Sequence, residues 1–426
     1  MEQIRHEQIN ETLYYEKLPN GLDVYVLPKH GFSKTYATFT TKYGSIDNHF
    51  QVPGKEEVKV PDGIAHFLEH KMFEQESGDV FNEFANYGAS ANAFTSFDRT
   101  AYLFTSTGHV KENLTTLINF VQDPYFTEEN VEKEKGIIGQ EIKMYDDNAD
   151  WRVYFGLIEN MYQHHPVKID IAGTVESISK ITKDMLYTCY ETFYHPSNML
   201  LFVVGAVNPE EIFQLVRENQ AAKNYEQQPE IKRFFEEEPT GVAKAQSVRE
   251  MSVAMPKVMF GYKEKRIDIS GDALLQKELT TQLLLDILLG PSSDLYQSLY
   301  EQQLINDTFG TDYSGEVQYG FSVIGGDTPD PEQLVQRVVD GLEQAKEKGI
   351  RTDAFELAKK KKIGAFLRSL NSIEFIANSF TKYKFNDTDL FEIVPTLEKI
   401  TIEDVNVRLK EHIQKEQLSV SIIRPL

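Results

Sequence analysis

Two stretches of this chain follow the same plan. Residues 181–207 open Ile-Thr-Lys-Asp and close on an apolar strand run; residues 400–426 open Ile-Thr-Ile-Glu-Asp and close the same way over the same length. A repeat at this spacing predicts two related halves, and 426 residues at 41% hydrophobic content suffice for a proper core in each. Strand runs such as Leu200 to Val207 alternate with helical segments such as Pro209 to Glu218. The expected fold class is therefore α+β, two tandem homologous domains, each a mostly antiparallel mixed sheet with helices packed against it. The expected division is a first domain over 1–216, a linker over 217–246 rich in Glu, Gln and Lys with Pro229 and Pro239, and a second domain over 247–426.

The halves differ in the residues that carry chemistry. In the first, His66-Phe67-Leu68-Glu69-His70 is an H-x-x-E-H run, a zinc hydrolase signature in its inverted order. On a helix, positions i, i+3 and i+4 share one face, so both imidazoles can reach one ion while Glu69 stands beside it. Pro61 and Asp62 precede the run, and Asp62 is the expected N-cap. A catalytic zinc takes three protein ligands and leaves a position for water, so a third ligand is needed from another helix. Residues 128–141 have helical periodicity, with Val131 and Ile138 apolar. Glu134 and Glu141 fall two turns apart on nearly the same face; one can ligate while the other orients a ligand.

The run Gly63-Ile64-Ala65-His66-Phe67-Leu68-Glu69-His70, with Glu134 and Glu141 downstream, resembles the pitrilysin/insulinase family, the clan that includes mitochondrial processing peptidase. Further stretches agree: Leu18-Pro19-Asn20-Gly21-Leu22, Gly88 to Ser96, Ile171 to Ile178, and Tyr194 to Met199. The likeness is greatest from about Glu11 to Val207, and to peptidase subunits of Gram-positive bacteria. It implies one zinc per chain held by His66, His70 and Glu141, Glu69 as general base, and Glu134 as a supporting acid. The interval from His70 to Glu141 is a few residues shorter than is usual in the family, which points to a trimmed loop near Gly78. In the second half, pairing Ile138-Gly139 with Ile363-Gly364 lays Glu134 on Lys359 and Glu141 on Phe366, and no H-x-x-E-H occurs there. Only the first half can hold the metal.

The implied activity is zinc-dependent endopeptidase chemistry on short or unfolded peptides. The alternative is a non-catalytic structural or peptide-binding homologue. Residues Ala91 to Thr107 alternate and are rich in Phe, Thr and Tyr, which predicts a strand. In relatives the portion matching Asn92, Ala93 and Phe94 is a sheet edge that pairs with substrate. The family's substrate-contacting Arg/Tyr pair of the second half has no arginine to match it within residues 292–303, where Tyr300 or Gln303 takes its place. That implies a heterodimer with a homologous, zinc-free subunit that supplies the pair. A formal charge of −22 argues against nucleic acid and anionic membranes as partners. No apolar run reaches the length of a membrane span. A polar N-terminus and a single cysteine, Cys189, fit a cytoplasmic location. Cys189 lies beside aromatic residues and is expected as a packed thiol.

Overall fold

The computed structural model describes residues 1–265 and 269–426. The chain forms two compact units: 1–142, 170–235 and 369–382 make the first, and 143–169, 236–368 and 383–426 the second.

The first unit is built on a seven-stranded sheet in the order Glu2–His6, Glu11–Lys17, Asp23–Pro28, Met199–Gly205, Thr35–Thr41, Thr100–Ser106, Ser90–Thr95. Only the pair Asp23–Pro28 with Met199–Gly205 is parallel. Every residue of Met199–Gly205 and Thr35–Thr41 is buried, the pattern of strands covered on both faces. Helix Ile64–Met72, which carries the histidine motif, buries eight of its nine residues. The sheet ends on Ser90–Thr95, whose outer edge has no strand partner among the described residues.

The second unit repeats this plan. Its sheet runs Gln246–Met251, Leu418–Pro425, Lys257–Tyr262, Gly320–Asp327, Gly310–Gly315, again with a single parallel pair at the same place in the order. The shift that lays Ile181 on Ile400 lays Met199 on Leu418, and their partners across the sheet, Thr41 and Tyr262, then coincide. Helices Lys183–Phe193 and Ile402–His412 are N-capped by Thr182 and Thr401, the equivalent threonines of the repeat. The Lys42 N–H donates to the Asn198 carbonyl at 3.0 Å, and the Lys263 N–H to the Gln417 carbonyl at 2.9 Å. The duplication expected from the sequence thus extends to individual backbone hydrogen bonds, and the fold is α+β with two homologous sheets, as expected.

Two local expectations are corrected. The segment 91–107 is not one strand but a hairpin, Ser90–Thr95 against Thr100–Ser106. Asp98 turns the chain between them by accepting from the Ser96 hydroxyl at 2.7 Å, and the Ser96 N–H donates to the Arg99 carbonyl at 2.8 Å. Asp62 is not the N-cap of the motif helix: Gly63 is, with φ of 87° and no side-chain cap bond. Asp62 instead accepts from Asn48 Nδ2 at 2.7 Å. Within 217–246, the first residues complete helix Pro209–Ala221, and Lys232–Arg233 pairs with His49–Gln51. Among the described residues no helix is long and apolar enough to cross a membrane.

Candidate metal centre

The motif helix starts at a tightly packed point. Gly63 adopts a left-handed φ, and a Cβ there would strike the carbonyl oxygen of Ala172. Gly173, also left-handed, lies so close to Asp62 that a Cβ would meet its carbonyl at 2.6 Å. Ser177 then donates its hydroxyl to that carbonyl at 2.8 Å. The Ile171 to Ile178 stretch is therefore a buttress that fixes where the helix begins. Gly21 and the Tyr194 to Met199 stretch act similarly further off: a Cβ on Gly21 would meet Ser197 Cβ at 2.7 Å, and Asn198 ties the carbonyls of Phe193 and Lys42 together.

From that start, His66 and His70 project one turn apart, with ring centroids at 4.6 Å. Helix Glu128–Asp146 brings the acids to them. Glu141 lies 3.7 Å by Oε1 from His66 Nε2 and 3.5 Å by Oε2 from His70 Nε2. One donor atom from each of His66, His70 and Glu141 lies within 4.8 Å of the other two. Two ligands at zinc bond length in a tetrahedron stand about 3.4 Å apart, so these three residues fit a zinc ion with little adjustment. The chemistry of the donors also fits. Burial, and then the neighbouring His70, push His66 down to about 4, so its ring is neutral with a lone pair to offer.

Glu134 does not join the three. It accepts from His70 Nδ1 at 3.1 Å, which leaves Nε2 of that ring facing Glu141. Burial would raise Glu134, but His70 and Lys71 outweigh it and hold the carboxyl below its ordinary value. For His70 the balance also goes against burial: the Glu134 hydrogen bond and the charges of Glu69 and Glu141 raise it. His66 Nδ1 is buried without a hydrogen-bond partner among the described residues, so the polar contact of its ring is the one from Nε2 toward Glu141.

Glu69 sits on the same helix beside the two imidazoles, almost fully buried, and burial raises its carboxyl above the usual range. Its Oε2 accepts from the Thr95 hydroxyl at 2.7 Å. Two neighbours of this centre escaped the sequence reading. Thr95 is at the end of the edge strand, and only the hairpin reveals that it faces the motif helix. Lys71 is wholly buried, salt-bridged to Glu74 and 3.5 Å from Glu134 Oε2. The i,i+3 spacing of Lys71 and Glu74 was a readable signal for it. Asn92, Ala93 and Phe94 lie on the edge strand but not in the cluster, with Asn92 Oδ1 accepting from the Ala93 N–H at 2.9 Å. Gly78 pairs with Gln75 in a short hairpin of Glu74–Gln75 against Gly78–Asp79. Cys189 is buried, and burial pushes its thiol up to about 12, so it is the packed, inert group expected.

Comparisons with known proteins bear on the family and the fold. Residues 55–175 match the family described as Insulinase (Peptidase family M16), and residues 180–362 match the Peptidase M16 inactive domain. The chain is 60% identical over 423 residues, 99% of each protein, to a Bacillus subtilis (strain 168) protein described as the uncharacterized zinc protease YmfH. It superposes with a TM-score of 0.95 and 41% identity on the crystal structure of an M16-like peptidase from Alicyclobacillus acidocaldarius, covering 98% of this chain and 99% of that one. A protease from Helicobacter pylori shares the fold, with a TM-score of 0.82 at 21% identity over 97% and 99% of the two chains. With this near full-length identity to a named zinc protease, and with the H-x-x-E-H helix inside its matched region, the chain belongs to the insulinase family, peptidase family M16.

Proposed function

We propose that the chain is the metal-bearing subunit of a zinc-dependent endopeptidase, with one zinc held by His66, His70 and Glu141 and with Glu69 as general base. The observation that carries this reading is the convergence of those three donor sets within 4.8 Å beside a buried carboxylate. Zinc bound there would polarise a peptide carbonyl and make a water acidic near neutral pH. The chain's own residues do the rest. Glu69 takes the proton of the attacking water at the oxygen that Thr95 leaves open, and passes it to the amine nitrogen as the C–N bond breaks. Glu134 fixes the ring of His70 and so presents Nε2 to the site.

Substrate is read as an extended peptide that adds to the open edge at Ser90–Thr95, pairing with Asn92, Ala93 and Phe94. Main-chain pairing makes few sequence demands, which suits short or unfolded peptides. The first half, 1–216, is the catalytic domain in this reading, followed by the linker 217–246 and a non-catalytic domain, 247–426. That domain offers Tyr300, more than half exposed, and no arginine within 292–303. A homologous zinc-free partner supplying an Arg/Tyr pair would complete the chamber, in a cytoplasmic heterodimer. The match of 180–362 to an inactive domain favours a second reading, a non-catalytic homologue, but the metal donors of the first half have no place in it.

Replacing Glu69 separates the two. Glu69→Gln is expected to keep zinc and to lose peptide hydrolysis by about a thousandfold or more. Equal hydrolysis by the variant and the wild type would remove Glu69 from the mechanism. Full activity of the chain without any partner would remove the heterodimer.

A further inference from the structure

A general base must keep one oxygen aimed at the reacting water. Glu69 has a flexible side chain, and its neighbours His66, His70 and Glu141 are taken up by the ion in the reading above, on which this inference rests. The hydrogen bond that fixes Glu69 comes from outside the motif: the Thr95 hydroxyl donates to Glu69 Oε2 at 2.7 Å. Thr95 is itself anchored. It pairs with Thr100 across the hairpin, and the Thr100 hydroxyl is committed to the Tyr43 carbonyl at 2.9 Å, with Thr95 Oγ1 at the longer distance of 3.4 Å. The Thr95 proton is thus free to go to Glu69, and the residue's backbone is part of the sheet.

The second unit fills this position differently. By strand register Thr95 corresponds to Tyr313, since Thr95 pairs with Thr100 and Tyr313 with Ser322, each opposite an equivalent strand. Tyr313 packs its ring in a T-shaped contact with His412 and stacks under Arg408. The position thus holds a small hydroxyl beside Glu69 in the first unit and a bulky ring beside Glu264, Arg408 and His412 in the second.

We propose that Thr95 is a positioning residue for Glu69: its hydroxyl fixes one carboxylate oxygen and thereby leaves the other directed at the metal centre. The strand read as the substrate's docking edge would then also hold the base in register with the peptide it binds.

The experiment compares Thr95→Val, which keeps the shape and removes the hydroxyl, with Thr95→Ser, which keeps the hydroxyl. Each is measured as zinc-loaded protein with its partner subunit, for zinc content and for kcat and KM on a quenched-fluorescent unstructured peptide. Thr95→Val is expected to retain wild-type zinc content and KM while kcat falls about tenfold, the size expected for one hydrogen bond to a charged group. Thr95→Ser restores most of kcat. In a Glu69→Gln background Thr95→Val has no further effect, because both changes act through one carboxylate. An unchanged kcat, a loss confined to KM, a loss of zinc, or a serine variant as poor as the valine variant overturns the role. A wild-type complex that binds zinc yet cleaves no peptide overturns the peptidase reading, and this role falls with it.

Discussion

The two units share a sheet order and a repeat register, yet they fill equivalent positions with opposite chemistry. In the first, Tyr43 stacks on Phe193 at 4.0 Å with Cys189 beside it, an apolar and aromatic core. In the second, the same three positions are Glu264, His412 and Arg408. Glu264 is salt-bridged to Arg408, lies 2.7 Å from His412 Nδ1, and receives Lys277 at 2.9 Å. At the metal centre the contrast runs the other way: the first unit gathers acids and histidines, while Lys359 and Phe366 stand in the second unit where pairing places Glu134 and Glu141. Lys359 now caps the carbonyls of Glu398 and Ile400 at 2.8 Å. One backbone plan therefore tolerates charge in either place. What it requires is that each buried charge be paired.

The largest effect expected from this comparison concerns zinc. His70→Ala should weaken zinc binding by about a thousandfold or more, since it removes one of three ligands. Replacing Lys359 and Phe366 together by Glu should add no zinc, because the second half has no H-x-x-E-H run to complete a site. A second equivalent of zinc per chain in that variant would break the comparison.

Next in size is the buried ionic cluster. Glu264→Gln leaves Arg408 and His412 without their anion and should cost about 3–5 kcal/mol in urea unfolding. Cys189→Ala, at the position equivalent to Arg408, should cost only about 1 kcal/mol. The cluster also sets a pH dependence. Burial alone would raise Glu264, but His412 and Arg408 hold it well below its ordinary 4.5. A depressed carboxylate stabilises the fold fully above 4.5, and that contribution is lost as the pH falls below it. Burial holds His412 below 6.5, so its part of the acid loss begins at higher pH. Glu264→Gln should flatten the lower part of this dependence. An unchanged pH profile of stability would contradict the pairing.

The smallest effect is in the turn after helix Asp294–Glu301, where Gln303 adopts φ of 57°. Gln303→Gly should stabilise by about 0.5–1 kcal/mol, because glycine takes the left-handed conformation without strain. A loss of stability would mean that the glutamine side chain has a role the backbone does not reveal.

Much of the site was legible because its spacing is helical. His66, Glu69 and His70 fix their own geometry through one helix, and Glu134 and Glu141 are two turns apart on another. What was not legible depends on long-range pairing. Which acid ligates is decided by how the helix Glu128–Asp146 meets the motif helix, and the residues alone left both open until the family likeness singled out Glu141. Thr95 became visible only through the hairpin, since a single strand over 91–107 gives no reason for it to face Glu69. Asp62 misled because an acid before a helix is a good cap in general, whereas the close approach of Ala172 and Gly173 to the chain favours glycine there. The duplication was legible from the threonine caps and apolar strands of the repeat. The ion cluster of the second unit was not, because its members are far apart in sequence.

The central claim is that one divalent ion is held by the first unit alone. Anomalous diffraction at the zinc edge from crystals of the zinc-loaded protein tests it directly. The account predicts a single peak within bonding distance of His66 Nε2, His70 Nε2 and the Glu141 carboxylate, with Glu134 on the far side of the His70 ring. A peak bonded to Glu134 in place of Glu141, or a peak in the second unit, would contradict it.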